Sequence, residues 1–226
     1  MTDLADTFGA SLDAVVSASQ RVASQSAAAH ELSAKALIAA QGAIAGARRD
    51  LDASAAVVAG QIALRSRPEA GHAGLAQQEG FRTPEALVQH ATGSTAREAM
   101  TLVRVGGMIR DSMIHDSTAN ETGAPTHPVA EPWLVPVGAA VASGALSVAA
   151  AEGSRGGLGG PNETVSVEAL RDAAVALVRL ASGYSGHIAV GSTVNADQLF
   201  RRARDARDDL DEAGIAVRER ERRQQR

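Results

Sequence analysis

Cysteine is absent from the 226 residues, and lysine occurs once, at Lys35. Without thiols the chain has no disulfide scaffold, no thiolate zinc site and no cysteine nucleophile. Aromatic residues are scarce: Phe8, Phe81, Trp133, Tyr184 and Phe200 are all there are. That is too few for a base-stacking platform on single strands, and too few for an ordinary β-sandwich or barrel core. Positive charge is not in excess either, with 22 Lys plus Arg against 26 Asp plus Glu and a net charge of −4. Such a chain does not coat nucleic acid over its whole surface, so any DNA contact must come from a local face.

Long apolar runs are nearly missing as well. Pro132 to Ala151 carries no charge and is long enough to span a bilayer. Its Pro132, Pro136, Gly138, Ser143, Gly144 and Ser147 break it up, and much of the remainder is alanine. Two short helices around a Ser143–Gly144 turn are expected there rather than a membrane span. The N-terminus, with Asp3, Asp6 and Asp13, does not read as a secretory signal. These features point to a soluble, cytoplasmic protein.

What is abundant is alanine, roughly a fifth of the chain and the strongest helix former. Residues 3–29 read as a helix with Leu4, Phe8, Leu12, Val15 and Val22 on one stripe. From Glu31 to Leu64, Leu37, Ile44, Leu51 and Val58 recur every seven residues, with small residues such as Ala40 and Ala47 between them. This narrow heptad seam suits close antiparallel packing, as the core of a helical hairpin or as a dimerisation arm. Helices are also expected over 81–113, at 134–144 and 147–155, after a Ser166 cap, and from an Asn195-x-x-Gln198 capping box to a stop at Gly214. The glycine run from Gly153 to Pro161 reads as a flexible linker, and the polar stretch His115–Pro132 as an internal boundary. No segment alternates with period two. The expected fold is all-α: an N-terminal antiparallel hairpin (1–67), a helix-turn-helix-like segment (68–114) and a C-terminal helical segment (115–226), together one composite domain packed as a bundle.

The helix-turn-helix reading rests on local chemistry. Thr83 caps a first helix with Pro84 at its first position, and Thr92-Gly93-Ser94 makes a tight turn. Thr95 and Glu98 then form a capping box for a second helix. Ala99, Leu102 and Val103 are expected to face the core. Arg97, Thr101 and Arg104 face outward, with Arg82 and Thr95 beside them, as candidate contacts to double-stranded DNA. Residues 81–110 hold four arginines (Arg82, Arg97, Arg104, Arg110) against Glu85 and Glu98, a local +2. An ordinary corner between two core helices has the same pattern.

Catalytic signals are lacking. The six histidines (His30, His72, His90, His115, His127, His187) are scattered, with no pair at metal-ligand spacing. Asp205, Asp208, Asp209, Asp211 and Glu212 alternate with Arg201, Arg202, Arg204 and Arg207 at helical spacing, which reads as a solvated salt-bridge face. The run Gly156–Gly160 lacks a phosphate-loop ending. No catalytic residue, metal site or cofactor is expected.

Four ordered blocks carry a resemblance. Gly80-Phe81-Arg82-Thr83-Pro84-Glu85-Ala86-Leu87, and then Thr92-Gly93-Ser94 with Arg97-Glu98-Ala99, are similar to the N-terminal region of a large actinobacterial family. Its members carry a domain of unknown function (number two-two-two) and an HNH endonuclease signature, and are called the thirteen-E-twelve repeat family. Val141-Ala142-Ser143-Gly144-Ala145-Leu146-Ser147 resembles its helix-Gly-helix block. Asn195-Ala196-Asp197-Gln198-Leu199-Phe200-Arg201-Arg202-Ala203-Arg204, running on to Asp211-Glu212-Ala213-Gly214, resembles a later one. The match runs from about Leu37 to the end. It implies a non-catalytic, helical, DNA-associating accessory module of an HNH-endonuclease-like protein, with the nuclease domain downstream in longer relatives. No residue here matches the His-Asn-His motif, and Gly183–Thr193 departs from the family pattern. The alternative is a structural or oligomerisation module, a homodimer through the Leu37–Val58 seam, with no nucleic-acid binding.

Overall fold

Short polar side chains open the helices of this chain. Thr83 accepts the Ala86 N–H at 3.2 Å, Ser147 that of Ala150 at 3.1 Å and Ser166 that of Ala169 at 3.2 Å. Asn195 and Gln198 form a reciprocal box, each side-chain oxygen accepting the other's backbone N–H, at 2.8 and 3.1 Å. Each cap satisfies amide donors that the first turn leaves unpaired.

The computed structural model describes residue 29 and residues 32–120, 129–185 and 194–224, with side chains outside the description at 115–120, 183–185 and 213–224. Its helices are α1 (Ala34–Arg65), α2 (Leu75–Gln78), α3 (Pro84–Thr92), α4 (Ala96–Asn120), α5 (Val135–Ala142), α6 (Val148–Leu158), α7 (Val167–Ser185) and α8 (Ala196–Gln224). Two 3-10 segments, Pro68–Ala73 and Pro132–Leu134, complete the order. No strand occurs among the described residues, and the fold is all-α. The helix expected over 3–29, with Leu4, Phe8, Leu12, Val15 and Val22, lies outside the described residues, and so do residues 186–193.

The chain divides into two compact units, Met1–Ile44 and Ala45–Arg226. In the first, the Ser33 hydroxyl accepts the Ala36 N–H at 3.2 Å to open α1. Leu37, Ile38 and Ile44 on its opening turns are exposed. The second unit is built around α4. Val105, Met108 and Ile109 of α4 share one buried cluster with Val137 and Val141 of α5 and Leu170, Ala174 and Leu177 of α7. A smaller cluster joins Ala59 of α1, Val88 of α3 and Ala99 of α4.

Small residues set the spacing between these helices. A side chain at Gly106 of α4 would collide with the Ala56 carbonyl of α1, and one at Gly60 would lie 2.7 Å from the Gly106 carbonyl carbon. Thus α1 meets α4 through Ala56 and Gly60, on a face different from the heptad seam. A Cβ at Gly157 of α6 would lie 2.6 Å from the Phe200 carbonyl of α8. This corrects the expected linker: Gly153 to Leu158 belong to α6, because those glycines remove bulk where α6 and α8 touch. Only Gly159, Gly160 and Pro161 of that run follow the helix.

Two more expectations change. Helix α4 continues to Asn120, so the polar boundary does not begin at His115, and the second helix of the turn motif is long. Gly214 does not stop α8, which runs to Gln224. One glycine costs about 1 kcal/mol relative to alanine, which the cooperativity of a 29-residue helix absorbs. The uncharged stretch Pro132–Ala151 folds as expected into short helices about the 143–147 turn, with Leu134, Val137, Val141 and Leu146 buried. Among the described residues, no helix is long and apolar enough to cross a membrane.

Candidate functional site

The α3–turn–α4 motif forms as the residues dictate. Gly93 takes the left-handed conformation (φ 64°, ψ 17°) that ends α3. The Thr92 hydroxyl donates to the Val88 carbonyl at 2.8 Å. At the start of α4 the Thr95 N–H and hydroxyl both donate to Glu98 Oε2 at 2.9 Å, and the Glu98 N–H returns to Thr95 Oγ1 at 3.2 Å. The Thr95 backbone bond, then its hydroxyl, holds the Glu98 carboxyl below its ordinary value, with the Arg48 charge adding to the effect. Ala99 is buried, while Leu102 and Val103 are partly buried against the smaller cluster.

The five candidate DNA contacts meet different surroundings. Arg82 is exposed ahead of α3. Thr95 is engaged in the cap. Arg104 donates from Nη1 to Glu152 Oε1 of α6 at 2.9 Å. Arg97, exposed, and Thr101, half-buried, come together on one wall of a cleft of about 750 Å³.

That cleft belongs to the second unit, and α1, α4, α6 and α8 all contribute to it. Ser94 of the turn and Arg97, Glu98 and Thr101 of α4 line it, and α1 adds Arg48 and Asp52. Glu152 of α6 and Asp197 and Phe200 of α8 line the same cleft. Arg48 Nε lies 3.7 Å from Asp52 Oδ2. Glu152 Oε1 takes Arg104, with Arg155 Nη1 at 3.8 Å, while its Oε2 is buried without a hydrogen-bond partner. Phe200 is 39% exposed, an unusual position for one of so few aromatics, and its ring covers Gly156.

Sequence reasoning found Arg97 and Thr101 from the turn motif. It missed Arg48, Asp52, Glu152, Asp197 and Phe200, which come from elements distant in sequence. Phe200 next to the buried Leu199 was the one available signal, an aromatic just off the apolar stripe of α8.

The oligomer-seam candidates lie on α1. Leu37 is 45%, Ile44 48% and Val58 42% exposed, and Leu51 is half-buried. Midway along α8, Asp211 accepts from Arg207 Nε and from the Thr164 hydroxyl, both at 2.8 Å. Arg207, then Thr164, lowers its carboxyl pKa. Arg207 also donates to the Leu158 and Gly160 carbonyls, at 2.8 and 2.6 Å, tying α8 to the end of α6. Among the described residues no three His, Asp or Glu side chains converge as a metal set.

Fold and cleft together define an all-α helical protein with a cleft of mixed polar and apolar lining among four helices. No family model, curated protein or solved structure matches the chain.

Proposed function

We propose that this chain is a structural helical module that self-associates through the Leu37–Val58 seam of α1. The carrying observation is the exposure of Leu37, Ile44 and Val58, three of the four seam positions. A seven-residue repeat of large side chains separated by alanines is self-complementary, so a second copy supplies a matching helix with the same stripe. Full burial of each Leu, Ile or Val contributes about 1.5–3 kcal/mol. Light scattering of the purified chain tests this. A dimer is expected, with Ile44→Asp giving a monomer of unchanged helicity. A wild-type monomer at every concentration, whose thermal midpoint falls on the same substitution, means that the stripe is covered within one chain, and overturns the proposal.

A second reading is the DNA-associating accessory module that the family resemblance implies, with catalysis left to a downstream nuclease. Arg82 and Arg97 favour it, being exposed and without ion-pair partners among the described residues. Fluorescence anisotropy on duplex DNA decides it. Changing both residues to Ala is expected to weaken binding and to flatten its salt dependence, by about one logarithmic unit of slope for each phosphate no longer neutralised. No binding by the wild type at low salt removes this reading.

A further inference from the structure

The cleft among α1, α4, α6 and α8 holds a cation and a carboxylate, Arg97 and Asp197, without an ion-pair partner among the described residues, whereas Arg48 lies 3.7 Å from Asp52 and Glu152 takes Arg104. On the α4 side the Arg97 guanidinium has no ion-pair partner among the described residues, and the Ser94 and Thr101 hydroxyls line the same wall. The carboxylate beside it, Glu98, is already turned onto Thr95. From α6 and α8, Glu152 and Asp197 join the lining, and neither helix adds a cation to it. Asp197 has no partner among the described residues, and the buried second oxygen of Glu152 lacks a donor. Leu102, Val148 and the exposed Phe200 ring supply apolar surface to the same cleft. The volume, about 750 Å³, falls within the range of small-molecule sites.

We infer that this cleft binds a small zwitterion with an apolar body, an amino acid or dipeptide, its carboxylate on Arg97 and its ammonium on Asp197. A simple anion would meet Glu152 and Asp197, and a simple cation would meet Arg97 and Arg48. A ligand carrying both charges, separated by an apolar segment, satisfies both walls. Arg97 offers a planar fork suited to a carboxylate, with Thr101 as a further donor. Asp197 pairs the ammonium directly, and the buried Oε2 of Glu152 remains as a further hydrogen-bond acceptor in the lining. Phe200 takes the apolar body, with Gly153 and Gly156 keeping the α6 side low beneath it. Interior segments of a polypeptide lack the two terminal charges, which confines the ligand to free amino acids and short peptides.

Titration of the full chain with leucyl-leucine, followed by amide chemical shifts and calorimetry, tests the assignment. Shifts are expected at residues 94–102, 153–156 and 197–200. N-acetyl-leucyl-leucine and leucyl-leucine amide should each bind about tenfold more weakly, since each forgoes one charge-assisted hydrogen bond. Arg97→Gln should abolish the preference for the free carboxylate, and Asp197→Asn that for the free amine. Both positions are exposed, and circular dichroism checks that the fold is kept. The inference fails if millimolar leucyl-leucine moves no cleft resonance, if the capped peptides bind as tightly as the free one, or if both variants bind like the wild type.

Discussion

Thr95 and Glu98 show how one side chain serves local structure before anything else. Spacing alone made Thr95 both a cap and a candidate phosphate contact, and in the structure its hydroxyl and N–H both face Glu98. The caps at Thr83, Thr95, Ser166 and Asn195 were legible because a cap is closed within three residues. Arg104 was not, because its partner Glu152 lies on another helix. Three carboxyls, Glu98, Glu168 and Asp211, are held below their ordinary values, chiefly by hydrogen bonds donated to the charged form. A carboxyl with a lowered native pKa binds its proton more weakly when folded. Its stabilisation is therefore present above the unfolded value and lost as pH falls through the native one. Thermal midpoints should accordingly drop as pH is lowered below about 4.5, the ordinary value for the two glutamates. Glu98→Gln, which keeps a box-forming amide but cannot titrate, should give a shallower acid limb in the same melting series. Equal limbs in the two proteins would show that the Glu98 cap has no part in the acid response.

Between elements, the decisive contacts are made by residues with almost no side chain. Alanine abundance and the small residues of the seam announced close helices, yet the sequence did not say which glycines mark crossings and which mark breaks. Gly153 and Gly157 read as a linker, because in sequence a glycine-rich run looks the same whether it bends the chain or admits a neighbour. Their role depends on Phe200 and Ala203 of α8 lying opposite. Adjacent glycines of α4 separate these effects. Gly106 faces the backbone of α1, whereas a Cβ at Gly107 would meet nothing within 4 Å. Gly106→Ala should destabilise by about 1–3 kcal/mol through overpacking. Gly107→Ala should stabilise by up to about 1 kcal/mol through helix propensity. Denaturant unfolding of the two variants should give midpoints on opposite sides of the wild type. A common direction would mean that the α1–α4 approach is not close.

For the molecule as a whole, helical class was settled by composition and by apolar periodicity, both of which act within a few residues. That information also placed the turn of the α3–α4 pair, the short helices of the uncharged stretch and the buried stripe of α8 at Leu199 and Ala203. Which face each helix turns inward was a tertiary decision. The strongest periodic signal, the Leu37–Val58 seam, is not the face that α1 buries in the second unit. Ala56, Ala59 and Gly60 are buried there instead, because small residues let backbones approach and give closer packing per turn than a mismatched large stripe. The cleft was a tertiary decision too. Arg48, Arg97, Glu152 and Asp197 have no local relation, and only the packing of four helices brings them to one cleft. The sequence by itself determined helices, caps and turns, whose energetics are local. The tertiary structure alone decided the crossings and the cleft, since both depend on atoms supplied by distant segments.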